Sequence, residues 1–227
     1  MIDGLFFSKK DKKMSKNKIK TALPYRKEVS KTEPEIFIIE SLHVDDEIKE
    51  RYEGRALRDA LRVTGQKPAY YYVRTKEELA NAIELFLHSG YRFLHISIHG
   101  SKTGVDTTLE RMTNKEFANL FQGKLKNRRI FFSACEVGSG GLSLLLQAQN
   151  PGMYSVASPL DKILFGTACA FWIAFYTRVL SNNPLGMEVS ELTPALTQLC
   201  QFFSVRLEWS YYCPAPKVKA WKTIQIP

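Results

Sequence analysis

The sequence predicts an α/β protein of three layers, a mainly parallel sheet of about six strands with helices on both faces. Short apolar runs recur at residues 36–39, 69–73, 93–98, 130–132 and 154–157, each bounded by glycine, proline or polar clusters. Runs of that length and make-up are buried strands. Segments with helical apolar spacing stand between them. The strand–helix–strand order implies right-handed crossovers, hence parallel neighbours covered by helices.

The 227-residue chain opens on a lysine-rich stretch. Residues 1–31 hold ten Lys or Arg against three acids, which is seven of the nine net positive charges. A flexible basic leader is expected over residues 1–33 and one folded, nearly neutral domain over 34–227. Contact with nucleic acid or another anionic partner is therefore an expectation for the leader alone.

Within the domain, the first strand ends near Glu40 and Ser41. Asp45 and Asp46 are placed to cap a helix carrying Ile48, Tyr52, Leu57, Ala60 and Leu61, and Gly54 is expected to break it. Pro68 introduces the second strand. Thr75 and Glu78 form a capping box ahead of Leu79, Ala82, Ile83, Phe86 and Leu87, a clear amphipathic helix that Gly90 ends. The third strand runs to His99 and Gly100, and a polar loop over 101–111 follows. Thr113 and Glu116 repeat the capping box before Phe117, Leu120 and Phe121. The fourth strand runs into Ser133, Ala134 and Cys135. Residues 142–148 read as a short helix and 154–157 as a fifth strand. The most apolar run, 163–176, lies between Lys162 and Arg178. It falls short of the ~20 residues a membrane-spanning helix needs, so a buried helix over 163–180 is expected. Thr193 and Pro194 start another helix, and 218–226 reads as a last strand.

Two of these strands each deliver one reactive side chain at the C-terminal end, His99 and Cys135, with glycine close behind. In an open parallel sheet ligands bind at that rim. Taken singly, a His after a strand is most often a satisfied polar residue, and a Cys in one is most often a small core residue. Together, on consecutive strands with one helix between, they have the makings of a nucleophile and its proton-transfer partner. Gly138, Gly140 and Gly141 leave backbone room beside Cys135.

Strand–His99-Gly100 followed by strand–Ser133-Ala134-Cys135 resembles the caspase-like (clan CD) cysteine peptidases, most closely their CHAT-domain branch. Val156-Ala-Ser-Pro159 and the helix carrying Phe171, Trp172, Phe175 and Tyr176 add softer likeness. The resemblance implies a three-layer caspase-like sandwich, with Cys135 as nucleophile and His99 as the proton-transfer residue. It also implies an oxyanion site made by the backbone N–H groups of Gly100 and Cys135, each such donor being worth ~3 kcal/mol in acyl transfer. Ser133 stands where caspases and legumains carry Gln or Glu in the primary specificity pocket. Asp161 and Asp106, beyond neighbouring strand ends, are candidates for holding a basic substrate side chain.

No cofactor and no metal is expected. The four cysteines, Cys135, Cys169, Cys200 and Cys213, form no C-x-x-C pair, which points to a reducing, cytoplasmic setting. The partners expected are a protein substrate and a separate protein activator, with no membrane. A catalytically silent caspase-like scaffold is the second reading. An unrelated nucleotide-binding enzyme is the third, weakened because neither G-x-G-x-x-G nor G-x-x-x-x-G-K-[S/T] occurs.

Overall fold

A computed structural model describes residues 32–182, 188–214 and 219–227. The expected basic leader lies outside the described residues but for its last two positions. In chain order the elements are β1 (Glu33–Ser41), α1 (Val44–Ile48), α2 (Glu53–Val63), β2 (Ala69–Tyr72), α3 (Lys76–Ser89), β3 (Tyr91–Ser101), β4 (Gly104–Asp106) and β5 (Arg111–Thr113). There follow α4 (Asn114–Asn119), β6 (Arg129–Ser133), α5 (Leu142–Gln149), β7 (Ser155–Pro159), α6 (Phe165–Asn182), α7 (Val189–Phe203), β8 (Leu207–Pro214) and β9 (Lys219–Ile226).

The sheet runs in the order β2-β1-β3-β6-β7-β8-β9. The first five are mutually parallel, while β8 and β9 are antiparallel to their neighbours. Successive residues of a strand point to opposite faces, and the two buried faces follow that alternation. Phe37, Ile39, Leu94, Ile96, Ile130 and Phe132 pack with residues of α3, α4 and α5. Ile36, Ile38, Phe93 and Phe131 pack on the other side with residues of α2, α6 and α7. That second layer is aromatic: the Phe131 ring lies 5.3 Å from Phe175, 5.8 Å from Trp172 and 5.7 Å from Tyr176. The three-layer α/β architecture is therefore present, with more strands than the six expected.

The additional strands are β4, β5 and β8. β4 lies in the stretch read as a polar loop and β5 begins at its last residue; they are three residues each, too short to show a period. β8 alternates buried Leu207 and Trp209 with Glu208 and Ser210, a period-two pattern not among the expected strands. Two helix starts also differ. The break after β1 falls at residues 49–52, and Gly54 sits inside the first turn of α2. Pro194 lies within α7, which begins instead at a capping box of Glu188 and Glu191. Thr75 does cap α3, but the Glu78 carboxylate takes the N–H of Arg74. The Thr113–Glu116 capping box forms in full. No helix among the described residues is long and apolar enough to cross a membrane.

Glu40, at the end of β1, fixes the start of α2. Its carboxylate accepts the N–H groups of Gly54 (2.7 Å) and Arg55 (3.2 Å) and the hydroxyl of Tyr70 (2.7 Å). These serve backbone donors that a helix start otherwise leaves unpaired. Burial nevertheless outweighs them and pushes the carboxyl up to about 7. The folded state then holds this proton more tightly than the unfolded chain does. Glu40 stabilises the fold at acid pH and loses that contribution, at most about 3 kcal/mol, as pH rises from the ordinary carboxyl range towards 7. Against Glu40→Gln, the wild-type urea midpoint should thus decline between about pH 5 and about pH 8. A constant difference between the two proteins would dismiss Glu40 as the source.

Candidate active site

β3 and β6 are adjacent and parallel, in register from Phe93–Arg129 to Ser97–Ser133. Beyond that pair β3 continues through His99 and Gly100, while β6 ends and the chain turns through Ala134 and Cys135. The turn is tight: Glu136 takes a left-handed conformation (φ 57°) and donates its N–H to the Asp161 carbonyl at 3.2 Å. Glycine after the histidine is a steric requirement here. A Cβ on Gly100 would stand 2.8 Å from the Cys135 carbonyl oxygen and 2.8 Å from Val137 Cγ1.

His99 and Cys135 line one cleft of about 60 Å³ at this C-terminal rim. Its walls include Leu42, Ile98, Ile163 and Phe165, and its polar lining is Glu53, Ser97 and Ser133. His99 Nε2 is bonded to Asp46 Oδ2 at 2.9 Å, and Asp46 Oδ1 accepts from Arg51 Nη1 at 3.0 Å. The second ring nitrogen, Nδ1, is thus left for a reacting partner. His43 stacks on His99 with ring centroids 3.8 Å apart and planes 10° apart, and Phe165 meets it edge-on at 5.4 Å. The thiol of Cys135 rests against the backbone of Ile163: the Ile163 N–H lies 3.5 Å from Sγ, and Sγ lies 3.7 Å from the Ile163 carbonyl.

The pocket candidates separate. Ser133 lies in the cleft and donates to Glu53 Oε2 at 2.7 Å. Asp106 pairs with His99 across the β3–β4 ladder and sits 4.0 Å from His43 and 3.7 Å from Arg111. Asp161 is exposed, pairs with Arg206 at 3.2 Å and lines a neighbouring depression beside α6. Neither acid lines the His99–Cys135 cleft. The acids that are close, Asp46 beside His99 and Glu53 in the cleft, carry no signature in the sequence, where Asp46 reads as a helix cap. The C-terminal rim rule applied to β1 would have drawn attention to the polar stretch from His43 to Glu53.

Burial and the stacked His43 hold His99 below its ordinary pKa, with Asp46 and Asp106 pulling the other way. The imidazole is accordingly neutral and able to take a proton at neutral pH. His43→Ala should raise the His99 pKa and Asp46→Asn should lower it further, as read from the ring-proton NMR titration. A shift of either variant in the opposite direction would contradict the assigned causes. His43, Asp46 and His99 also bring three ligand atoms within 4.8 Å. Two rings stacked face to face do not aim their in-plane lone pairs at one ion, so this cluster is not a ready cation site.

No protein-family model matches the sequence, and no curated protein does. Solved structures do match. The chain is similar over 80% of its length to a secreted C11 cysteine protease from Bacteroides thetaiotaomicron, with TM-score 0.55 and 9% identity over 67% of that protein. Caspase-1 from Spodoptera frugiperda matches 90% of the chain and 91% of its own, with TM-score 0.51 and 14% identity. The chain has the caspase-like fold. A third caspase-like structure, the Arg-specific cysteine proteinase gingipain R, matches 77% of the chain with TM-score 0.51 and 12% identity. The chain spans 45% of that gingipain structure, under half its length.

Proposed function

We propose that this protein is a cysteine endopeptidase of the caspase-like type. The observation that supports it best is the placement of His99 and Cys135 in one cleft, on adjacent parallel strands of a caspase-like sheet. In this reading the Cys135 thiol gives its proton to His99, and the resulting thiolate attacks the carbonyl carbon of a substrate peptide bond. The backbone N–H groups of Gly100 and Cys135 hold the oxyanion. His99, oriented by Asp46, delivers its proton to the leaving amine, and a thioester to Cys135 remains. Water, giving a proton to His99, then hydrolyses the thioester and frees the thiol. The CHAT-like assignment rests on His99-Gly100 and Ser133-Ala134-Cys135. The substrate is a protein, and a separate activator protein frees Cys135 from the segment that carries Ile163. The four free thiols suit a reducing, cytoplasmic setting, and the basic leader offers contact with an anionic partner.

The nucleotide-binding alternative loses its loop. A Cβ on Gly140 would stand 2.0 Å from the Lys102 carbonyl oxygen, and Asn114 Nδ2 bonds both Lys102 O (2.9 Å) and Gly140 O (3.1 Å). That glycine is occupied in packing and leaves no cradle for a phosphate. The silent-scaffold reading is tested by alkylation. Burial pushes the thiol of Cys200 up to about 12 and raises that of Cys169. With Cys213 replaced by Ala, iodoacetamide at neutral pH should modify Cys135 at least ~10-fold faster than Cys169 or Cys200, and His99→Ala should abolish that excess. Equal rates at all three sites would favour the scaffold. Peptide-library cleavage by wild type against Cys135→Ala tests the activity itself.

A further inference from the structure

Resting on the peptidase reading, we propose that Glu53 is the specificity-determining acid of the cleft and that the bond cut follows a basic residue, Arg or Lys. Glu53 is the first residue of α2 and only 5% exposed, yet it lines the cleft that holds His99 and Cys135. Its Oε2 accepts two hydroxyls, from Ser133 at 2.7 Å and from Ser97 at 3.1 Å. Its Oε1 is buried without a hydrogen-bond partner. The nearest ring nitrogen, His95 Nε2, stands 3.7 Å away and is equally unpartnered. Among the described residues no Lys or Arg is paired with Glu53 in an ion pair.

A buried carboxylate is costly unless a cation or a full set of donors meets it. Here half of the carboxylate is served by the protein and half is left over. The rest of the lining fits the missing partner. Leu42, Ile98, Ile163, Phe165 and Ala168 are apolar, suited to the methylene stem of a long basic side chain whose charged end reaches Glu53. Ser133, which carries no charge, serves in this arrangement by holding the carboxylate in place. The acid that sets the preference thus comes from a helix start two strands away from Cys135 in sheet order, and Glu40 anchors that helix start through Gly54 and Arg55.

The test compares fluorogenic peptides that differ only in the residue before the scissile bond: Arg, Lys, norleucine and Asp. Wild type should cleave after Arg or Lys with kcat/KM at least ~100-fold above norleucine, the scale of a desolvated charge pair. In Glu53→Gln that ratio should collapse to within ~5-fold, and Glu53→Asp should restore a basic preference. A structural role for Glu53 would lower all substrates alike and leave the ratio intact, which would overturn the proposal. So would a wild-type preference for norleucine or Asp, and the peptidase reading would then stand without it. A second arm does not depend on turnover. Agmatine, an arginine side chain without its carboxyl, should bind Cys135→Ala at least ~10-fold more tightly than butylurea, its uncharged analogue, and Glu53→Gln should erase the difference. If wild type cleaves nothing, Glu53-dependent agmatine binding upholds the basic subsite and its failure removes it.

Discussion

Cys135→Ala is expected to leave no measurable peptide hydrolysis, a loss of ~10⁴-fold or more in kcat/KM, while the protein remains folded. The structure explains why the two effects part company. The sulfur touches the Ile163 backbone at 3.5–3.7 Å and is not part of either core layer, so truncation leaves a small void at the rim. His99→Ala should lose activity to a similar degree, because residues that act as one unit are not additive. In the double variant the loss should be no larger than in either single one. Thermal melts within a few degrees of wild type, alongside abolished turnover, are the expected pattern. Hydrolysis near the wild-type rate in either variant would exclude the dyad.

Gly100→Ala should damage stability and chemistry together. The methyl group would meet a backbone oxygen, Cys135 O, at 2.8 Å, together with Val137 Cγ1 at 2.8 Å and Ala134 Cβ at 3.1 Å. A backbone atom cannot rotate out of the way as a flexible side-chain end does. Either β3 or the Cys135 turn must shift, and such overpacking costs about 1–3 kcal/mol. Because the displaced oxygen belongs to Cys135, the proposed nucleophile, a shift of about 1 Å there should slow turnover by ~10²-fold. Calorimetry and the rate of Cys135 alkylation measure the two parts. A variant with unaltered melting temperature and unaltered alkylation would show that the gap is softer than the geometry implies.

Much of this was legible in the residues, and the illegible parts share a cause. Strands such as Ile36–Ile39 and Phe93–Ile98 announce themselves because both faces are buried and most positions are apolar. His99 and Cys135 stand out because each closes such a run. The acids that join them do not. Asp46 and Glu53 follow β1; local reading takes Asp46 as a helix cap, where carboxylates are common for reasons of capping and dipole, and gives Glu53 no role. Only the sheet order, with β1 beside β3, brings them to the same rim. Asp106 and Asp161 show the converse. They are near the strand ends in sequence, yet hairpin pairing turns one towards His43 and Arg111, and the other faces Arg206 in the open. β8 carries a period-two alternation, Leu207, Trp209 and Tyr211 against Glu208 and Ser210, yet it is not among the strands expected from the sequence.

The backbone of Ile163, against which the Cys135 sulfur rests, is placed to act as a tethered competitor. A molecule that uses the sulfur's contacts with Ile163 has to replace a piece of the same chain, present at the effective concentration of a short loop rather than at that of a free solute. Apparent affinity is then the intrinsic affinity reduced by the fraction of time the loop stands away. Two ligands with equal contacts but unequal ability to replace that N–H and carbonyl will differ in how fast they capture the thiol. A substitution that loosens the loop will strengthen every one of them by the same factor.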